Sequence, residues 1–392
     1  MIDLFFTGIL TSIILMWVVV ARGHYLGRLA TLFKRYILVV SSVFWFGLVV
    51  FAVIFVLNFD YFDRIHDIDD AVEAAVTSYE AGINPYEERV VPRFQDKYAP
   101  NVKWTMGPYN YLPLDLYVYV GFHEFLGWIG SPLWFVLSNL MLLGIAFAIL
   151  RDTLKADWIA YAPIAGVVML FYSFDNASLT LLLMVLSMFV YRRIQWHPGA
   201  LAIFIMALAT MTKIFAGIPL VVLILYELQR GLKARDWRRL GDTAVSTACG
   251  AGAALLLMLP FGVFIVLDAA VFFHASEALR EGTSVGGTVL SELLMESEYY
   301  SMVSAAIVFA VLVISMRLRS FNDRVLLTIT AFLMVAVKSS LAPLVVAGLF
   351  LMLRLKESAD AKTFGRLRPE ARAAEPNSAP ASRNDDTIAP AR

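Results

Sequence analysis

The chain holds a single cysteine, Cys249, in 392 residues. An intramolecular disulfide and a cysteine-built metal site are both excluded. Charge is scarce too: 16% of residues are charged, and the formal net charge is zero. With no excess of either sign, there is no electrostatic footprint for nucleic acid or an acidic partner. No internal repeat is visible. No small-residue cleavage site follows the first apolar run, which leads straight into Arg22 and a basic stretch, so that run reads as a span and not as a removed signal. What is abundant is apolar: 59% of residues are hydrophobic and mean hydropathy is +0.71, the composition of a polytopic membrane protein. The expected fold is an all-α bundle of about 8–11 membrane helices, some broken or re-entrant.

Runs near the length of a span cover 4–21, 36–57, 131–150, 158–173, 177–191, 243–268 and 300–316. The basic segments 22–35, 192–193, 230–239 and 317–324 assign the cytoplasmic side, together with 354–392. The loops 58–115, 172–177 and 269–299 then face outward. The chain divides into two N-terminal spans (1–57), an extracytoplasmic acidic and aromatic loop (58–115), the remaining membrane helices (116–356, including outer loop 269–299) and a disordered cytoplasmic tail (357–392). By parity, 116–130 dips in and returns or lies against other helices. The runs 199–228 and 325–353 have both ends on the basic side, so each is expected to be a hairpin of two short half-helices. Their breaks are "TMTKIFAGIP" around Lys213 and "VAVKSSLAP" around Lys338. A charge at membrane depth belongs in a wet cavity or snorkels to an interface, and both readings stay open for each lysine.

The outer loops concentrate the polar chemistry. Segment 58–115 carries eleven carboxylates against five Lys and Arg. Within it Ile68, Val72, Ala75, Val76 and Tyr79 recur at helical spacing, which predicts a short amphipathic helix on the outer membrane surface. Asp67, Asp69 and Asp70 crowd its first turn, where the helix dipole favours negative charge, and Gly82 ends it. On their own these aspartates read as an N-cap and a solvated first turn, with Asp69, Glu73 and Glu80 off the apolar face. Tyr86 follows the helix, and "WTMGPYNYLPLDLY" brings Tyr109 and Tyr111 to the membrane re-entry. Aromatic faces beside carboxylates suit a sugar: rings stack on C–H faces and carboxylates accept from hydroxyls. His123 in "GFHEFLG" and Asp175 in "YSFDNA" are further candidates for that site. In the last outer loop His274 and Arg280 are candidates for a phosphate, with Arg280 suited by its planar fork.

Asp67-Ile68-Asp69, Gly82-Ile83-Asn84-Pro85-Tyr86 and Tyr109-Asn110-Tyr111-Leu112-Pro113-Leu114 together resemble the first outer loop of the GT-C glycosyltransferases. The similarity is to the polyprenyl-phosphate-mannose-dependent mannosyltransferases, which elongate phosphatidylinositol mannosides or add the first mannose of GPI anchors. The Lys213 hairpin is also similar to a recurrent feature of that superfamily. The resemblance implies a GT-C-like bundle in the cell membrane with its active site on the extracytoplasmic face. It implies inverting transfer of a sugar, mannose by this likeness, from a polyprenyl-phosphate donor to a lipid or glycan acceptor, as in glycolipid biosynthesis. Such a reaction needs one general base and positive charge on the leaving phosphate. Asp67 is the first choice of base, with Asp69 and Asp70 as alternates. Arg280, Lys213, Lys338 and His274 are the donor-phosphate candidates. Tyr86, Tyr109, Tyr111, His123 and Asp175 are the sugar or acceptor candidates. The aspartate cluster would also accept a divalent metal, Mg or Mn, which a lipid-phosphate donor does not require. The rival reading is a polytopic transporter or lipid flippase, since broken helices with a lysine at the break also suit a substrate site inside the membrane.

Overall fold

The computed structural model describes residues 68–87, 108–131, 133–154, 176–194, 197–272, 299–335, 346–354 and 356–357. The expected spans 4–21, 36–57 and 158–173, most of outer loop 269–299 and the tail beyond 357 lie outside these residues, as do Asp67, Asp175, His274, Arg280 and Lys338. The described residues form helices and turns, with no strand among them. In chain order the helices are α1 (Ile68–Glu80), α2 (Pro113–Leu126), α3 (Leu133–Leu154), α4 (Ser178–Arg193), α5 (Pro198–Thr210), α6 (Gly217–Ala234), α7 (Trp237–Met258), the short α8 (Val263–Leu267), α9 (Tyr300–Ser315) and α10 (Phe321–Val335). A last described helix, α11, spans 346–354. Among the described residues, three helical stretches are long and apolar enough to cross a membrane: Leu133–Leu154, Ile214–Ala234 and Trp237–Phe261.

Of the basic segments, the described ones at 192–193, 230–239 and 317–324 gather at one end of the described bundle. Arg193 of α4 pairs with Asp152 of α3 at 2.8 Å, and Arg354 pairs with Asp323 at the start of α10, also at 2.8 Å. Glu357 accepts from Arg192, Ser320 and Asn322. Buried Glu227 of α6 accepts from the Tyr191 hydroxyl at 2.6 Å and lies 3.4 Å from the Arg239 guanidinium. Both ends of the 198–234 segment therefore lie at this end, and so do the start of α10 and the end of α11. The hairpin expected of 199–228 is present, but its two arms are unequal. Helix α5, with 13 residues, rises only about 20 Å. Helix α6 runs on through the basic stretch to Ala234, and a two-residue turn starts α7 at Trp237, six residues before the span expected from 243.

Helix α5 is the centre of the bundle. Gly199, Ala202, Ile203, Ile205, Met206, Ala207 and Ala209 are all buried, as expected of a helix that is apolar all round. It packs between α4 and α7 and also touches α6. The contact with α7 is close because Gly250 has no side chain: a Cβ built there would stand 2.6 Å from the Ala207 Cβ. Both atoms are fixed to backbone, so neither can rotate away. Gly250→Val is therefore expected to force the helices apart and to cost about 1–3 kcal/mol in unfolding measurements in detergent. A variant as stable as the parent would show that this approach is not tight.

The expected continuous span 243–268 is interrupted. Pro260 supplies no amide for a helical bond and Gly262 adopts φ +85°, so α7 ends in a 3-10 turn at Leu259–Phe261 before α8. The break sits at the opposite end from the basic network. There a second apolar core joins Val72, Ala75 and Val76 of α1 to Tyr86, Tyr109, Leu112, Leu116, Met211, Met258 and Phe261.

Candidate functional site

Helix α1 stops where its sequence says, at Gly82, whose φ of +74° is a left-handed value that glycine adopts without penalty. The expectation of a solvated first turn is corrected. Asp69 and Asp70 are 2% and 3% exposed. Asp69 lies three residues before Val72 and seven before Val76, so helical geometry puts it on the buried face, not off it. The helix also packs against α2 instead of lying free on a surface.

The two segments after α1 are tied into one plate. Asn84 Oδ1 accepts from the Tyr86 amide, a local turn that asparagine side chains favour. The Asn84 Nδ2 donates to the Phe261 carbonyl at 3.0 Å, a group freed by the helix break at Pro260. The Tyr109 amide donates to the Pro85 carbonyl at 2.8 Å, and the Tyr86 hydroxyl donates to the Tyr111 carbonyl at 2.8 Å. The rings follow in contact: Phe261 to Tyr86 at 5.0 Å, Tyr86 to Tyr109 at 5.7 Å, Tyr109 to Tyr111 at 5.3 Å. Tyr86 and Tyr109 are each 2% exposed and their hydroxyls are engaged within the protein. Burial is the largest cause pushing both phenols well above the ordinary tyrosine value, with the Asp115 carboxylate adding to it, so both hydroxyls stay protonated donors. They act as supports beneath Tyr111, which keeps partial exposure.

Re-entry then meets the break in the α5–α6 hairpin. The Leu112 amide donates to the Thr212 carbonyl at 3.4 Å and the Leu114 amide to the Met211 carbonyl at 3.2 Å. These carbonyls belong to the end of α5 and its following turn, where helical partners run out. Lys213, half-buried and extended at this turn, holds its ammonium 4.8 Å from the centre of the Tyr111 ring. The broken helix thus brings one expected donor-phosphate residue onto one expected sugar-site residue.

One residue at this site escaped the sequence reading. Asp115, in the first turn of α2, is fully buried. Its Oδ2 accepts from the Tyr109 hydroxyl at 2.8 Å and from Asn176 Nδ2 at 2.8 Å. The signal was available: a lone carboxylate in an apolar stretch behind Pro113, at a helix N-terminus entering the membrane. Asn176, also fully buried, has an Oδ1 with no hydrogen-bond partner among the described residues. Thr180 and Thr212 close the same region through a 2.7 Å hydroxyl contact. His123 lies eight residues along α2 from Asp115, about 12 Å. Its Nδ1 meets Glu80 of α1 at 2.8 Å, so it clamps the end of α1 to α2. Among the described residues no three His, Cys, Asp or Glu side chains meet in a group that could hold a metal ion.

No family model matches the chain, and no curated protein or solved structure matches it.

Proposed function

We propose that the chain is an integral membrane glycosyltransferase that moves a sugar, mannose in the favoured case, from a polyprenyl-phosphate donor to a lipid or glycan acceptor on the extracytoplasmic face. The observation that carries this reading is the meeting of Lys213 with Tyr111. A cation at a helix break lies against a partly open ring at the edge of an aromatic plate. That plate shares a core with the helix whose first turn holds Asp69 and Asp70. A leaving lipid phosphate needs such a cation, a sugar needs such a ring, and an acceptor hydroxyl needs a carboxylate to take its proton. The buried Asn176 Oδ1 is an acceptor that a bound hydroxyl would satisfy. Arg280, Lys338 and His274 remain proposed partners of the phosphate, and Asp67 and Asp175 proposed partners of base and sugar. The transporter reading draws on the same helix break. The convergence of Tyr109, Asp115, Asn176 and Thr212 at the loop-bearing end favours the enzyme.

Lys213 supplies the test. In proteoliposomes given polyprenyl-phosphate mannose, Lys213→Met is expected to lower kcat/KM by about 10²-fold, with Lys213→Arg retaining most of it. A Met variant within threefold of the parent would remove Lys213 from the phosphate site. Facilitated passage of the lipid across the bilayer without sugar transfer would support the transporter instead.

A further inference from the structure

Helices α6 and α7 both belong to stretches long enough to cross a membrane, and only Arg235 and Asp236 separate them. A turn that short lies at the membrane surface. It is also firmly built. Arg235 takes a left-handed φ of +53°, and the Asp236 amide donates to the Gly231 carbonyl at 2.9 Å. The Asp236 carboxylate caps α7 by accepting from the Arg239 amide at 3.1 Å. Leu240 packs so closely on Gly231 that a Cβ there would stand 2.7 Å from its Cδ2.

The charges sort into two sets. Arg239 and Arg230 turn inward to Glu227, and Arg238 lies 3.0 Å from His197 Nε2. Asp236, the only acid between 230 and 239, is occupied as the cap. Lys233 and Arg235 point outward and have no ion-pair partner among the described residues. Beside them Leu232 and Trp237 are 64% and 78% exposed. Two outward cations flanked by an exposed leucine and an exposed tryptophan, on a rigid turn at membrane level, match one surface: cations for headgroup phosphates, an indole for the headgroup zone, a leucine for the acyl boundary.

We propose that the α6–α7 turn is a contact site for anionic phospholipid headgroups, with Lys233 and Arg235 as the charged contacts and Trp237 and Leu232 as the apolar anchor. The contact fixes the depth of α6, which begins at the Lys213 break. It stands independently of the catalytic reading.

The test uses the full chain in detergent, titrated with phosphatidylglycerol or phosphatidylcholine. Retained lipid is counted by native mass spectrometry. The parent should retain phosphatidylglycerol in preference to phosphatidylcholine. Each neutralised cation should weaken phosphatidylglycerol retention about fivefold, so Lys233→Gln with Arg235→Gln should weaken it about 25-fold. Trp237→Ala should weaken retention of both lipids. Arg193→Gln, at the same end of the bundle, should leave the preference intact. A double variant with the parent's preference, or a parent that does not discriminate between the two lipids, would overturn the proposal.

Discussion

Asparagine at one of Asp67, Asp69 or Asp70 is expected to abolish nearly all sugar transfer, with turnover falling about 10²–10⁴-fold and the protein still folded. Asparagine keeps the shape of aspartate and most of its hydrogen bonding but cannot take a proton. The substitution therefore isolates base chemistry from packing. Burial makes the experiment informative at Asp69 and Asp70. A carboxylate removed from water is costly unless the surroundings compensate it, and two adjacent ones in a single turn are more costly still. Turnover with polyprenyl-phosphate mannose should be compared for the three single variants, alongside thermal unfolding in the same detergent. A uniform drop in stability with turnover within threefold of the parent for all three would defeat the aspartate-base reading. A loss confined to one variant would assign the base.

Much of the architecture was legible in local signals. Helix α1 and its end were legible because its 3.6-residue period and Gly82 act within a few residues. The α5–α6 break was legible at Lys213 because a charge, small residues and Pro219 cannot continue an apolar helix unpunished. The grouping of Arg192, Arg230 and Arg324 at one end followed from charge alone, and the network around Glu227 and Glu357 bears it out. Other features depended on distant partners. The break at Pro260–Gly262 was hidden inside a run that reads as uniformly apolar, although its residues announce it. Helix α6 ends beyond the expected 228 because arginine and lysine are good helix formers and the helix carries the basic stretch to Ala234. The clearest omission is Asp115. The carboxylate behind Pro113 is a local signal, but its partners lie six and 61 residues away, so the enclosure by a tyrosine and an asparagine is not written in the local sequence.

That enclosure makes Asp115→Ala a severe change to stability. Alanine would strip the acceptor from two buried donors, the Tyr109 hydroxyl and Asn176 Nδ2. Each orphaned donor costs about 1–3 kcal/mol, so the loss should reach about 2–6 kcal/mol. Against a typical total of about 5–15 kcal/mol this is severe. Asp115→Asn retains an oxygen that can accept, and it should cost only about 1–2 kcal/mol as the charge-assisted bonds become neutral ones. Tyr109→Phe removes one donor together with its need for a partner and should cost about 1 kcal/mol. The two sites touch, so the double variant Asp115→Ala, Tyr109→Phe should be less damaged than the sum of the single changes, with a coupling of about 0.5–3 kcal/mol. Denaturant or thermal unfolding in micelles measures all four. Strict additivity, or an alanine variant within 1 kcal/mol of the parent, would show that the carboxylate is not the clamp. If it is the clamp, the damage reaches the site in a defined order. Tyr109 rests on Tyr111, and Tyr111 carries Lys213, so loosening Asp115 loosens the proposed phosphate cation through two ring contacts. Asp115→Asn, which keeps the clamp, should then preserve more of kcat/KM than Asp115→Ala when both are assayed below their unfolding transitions.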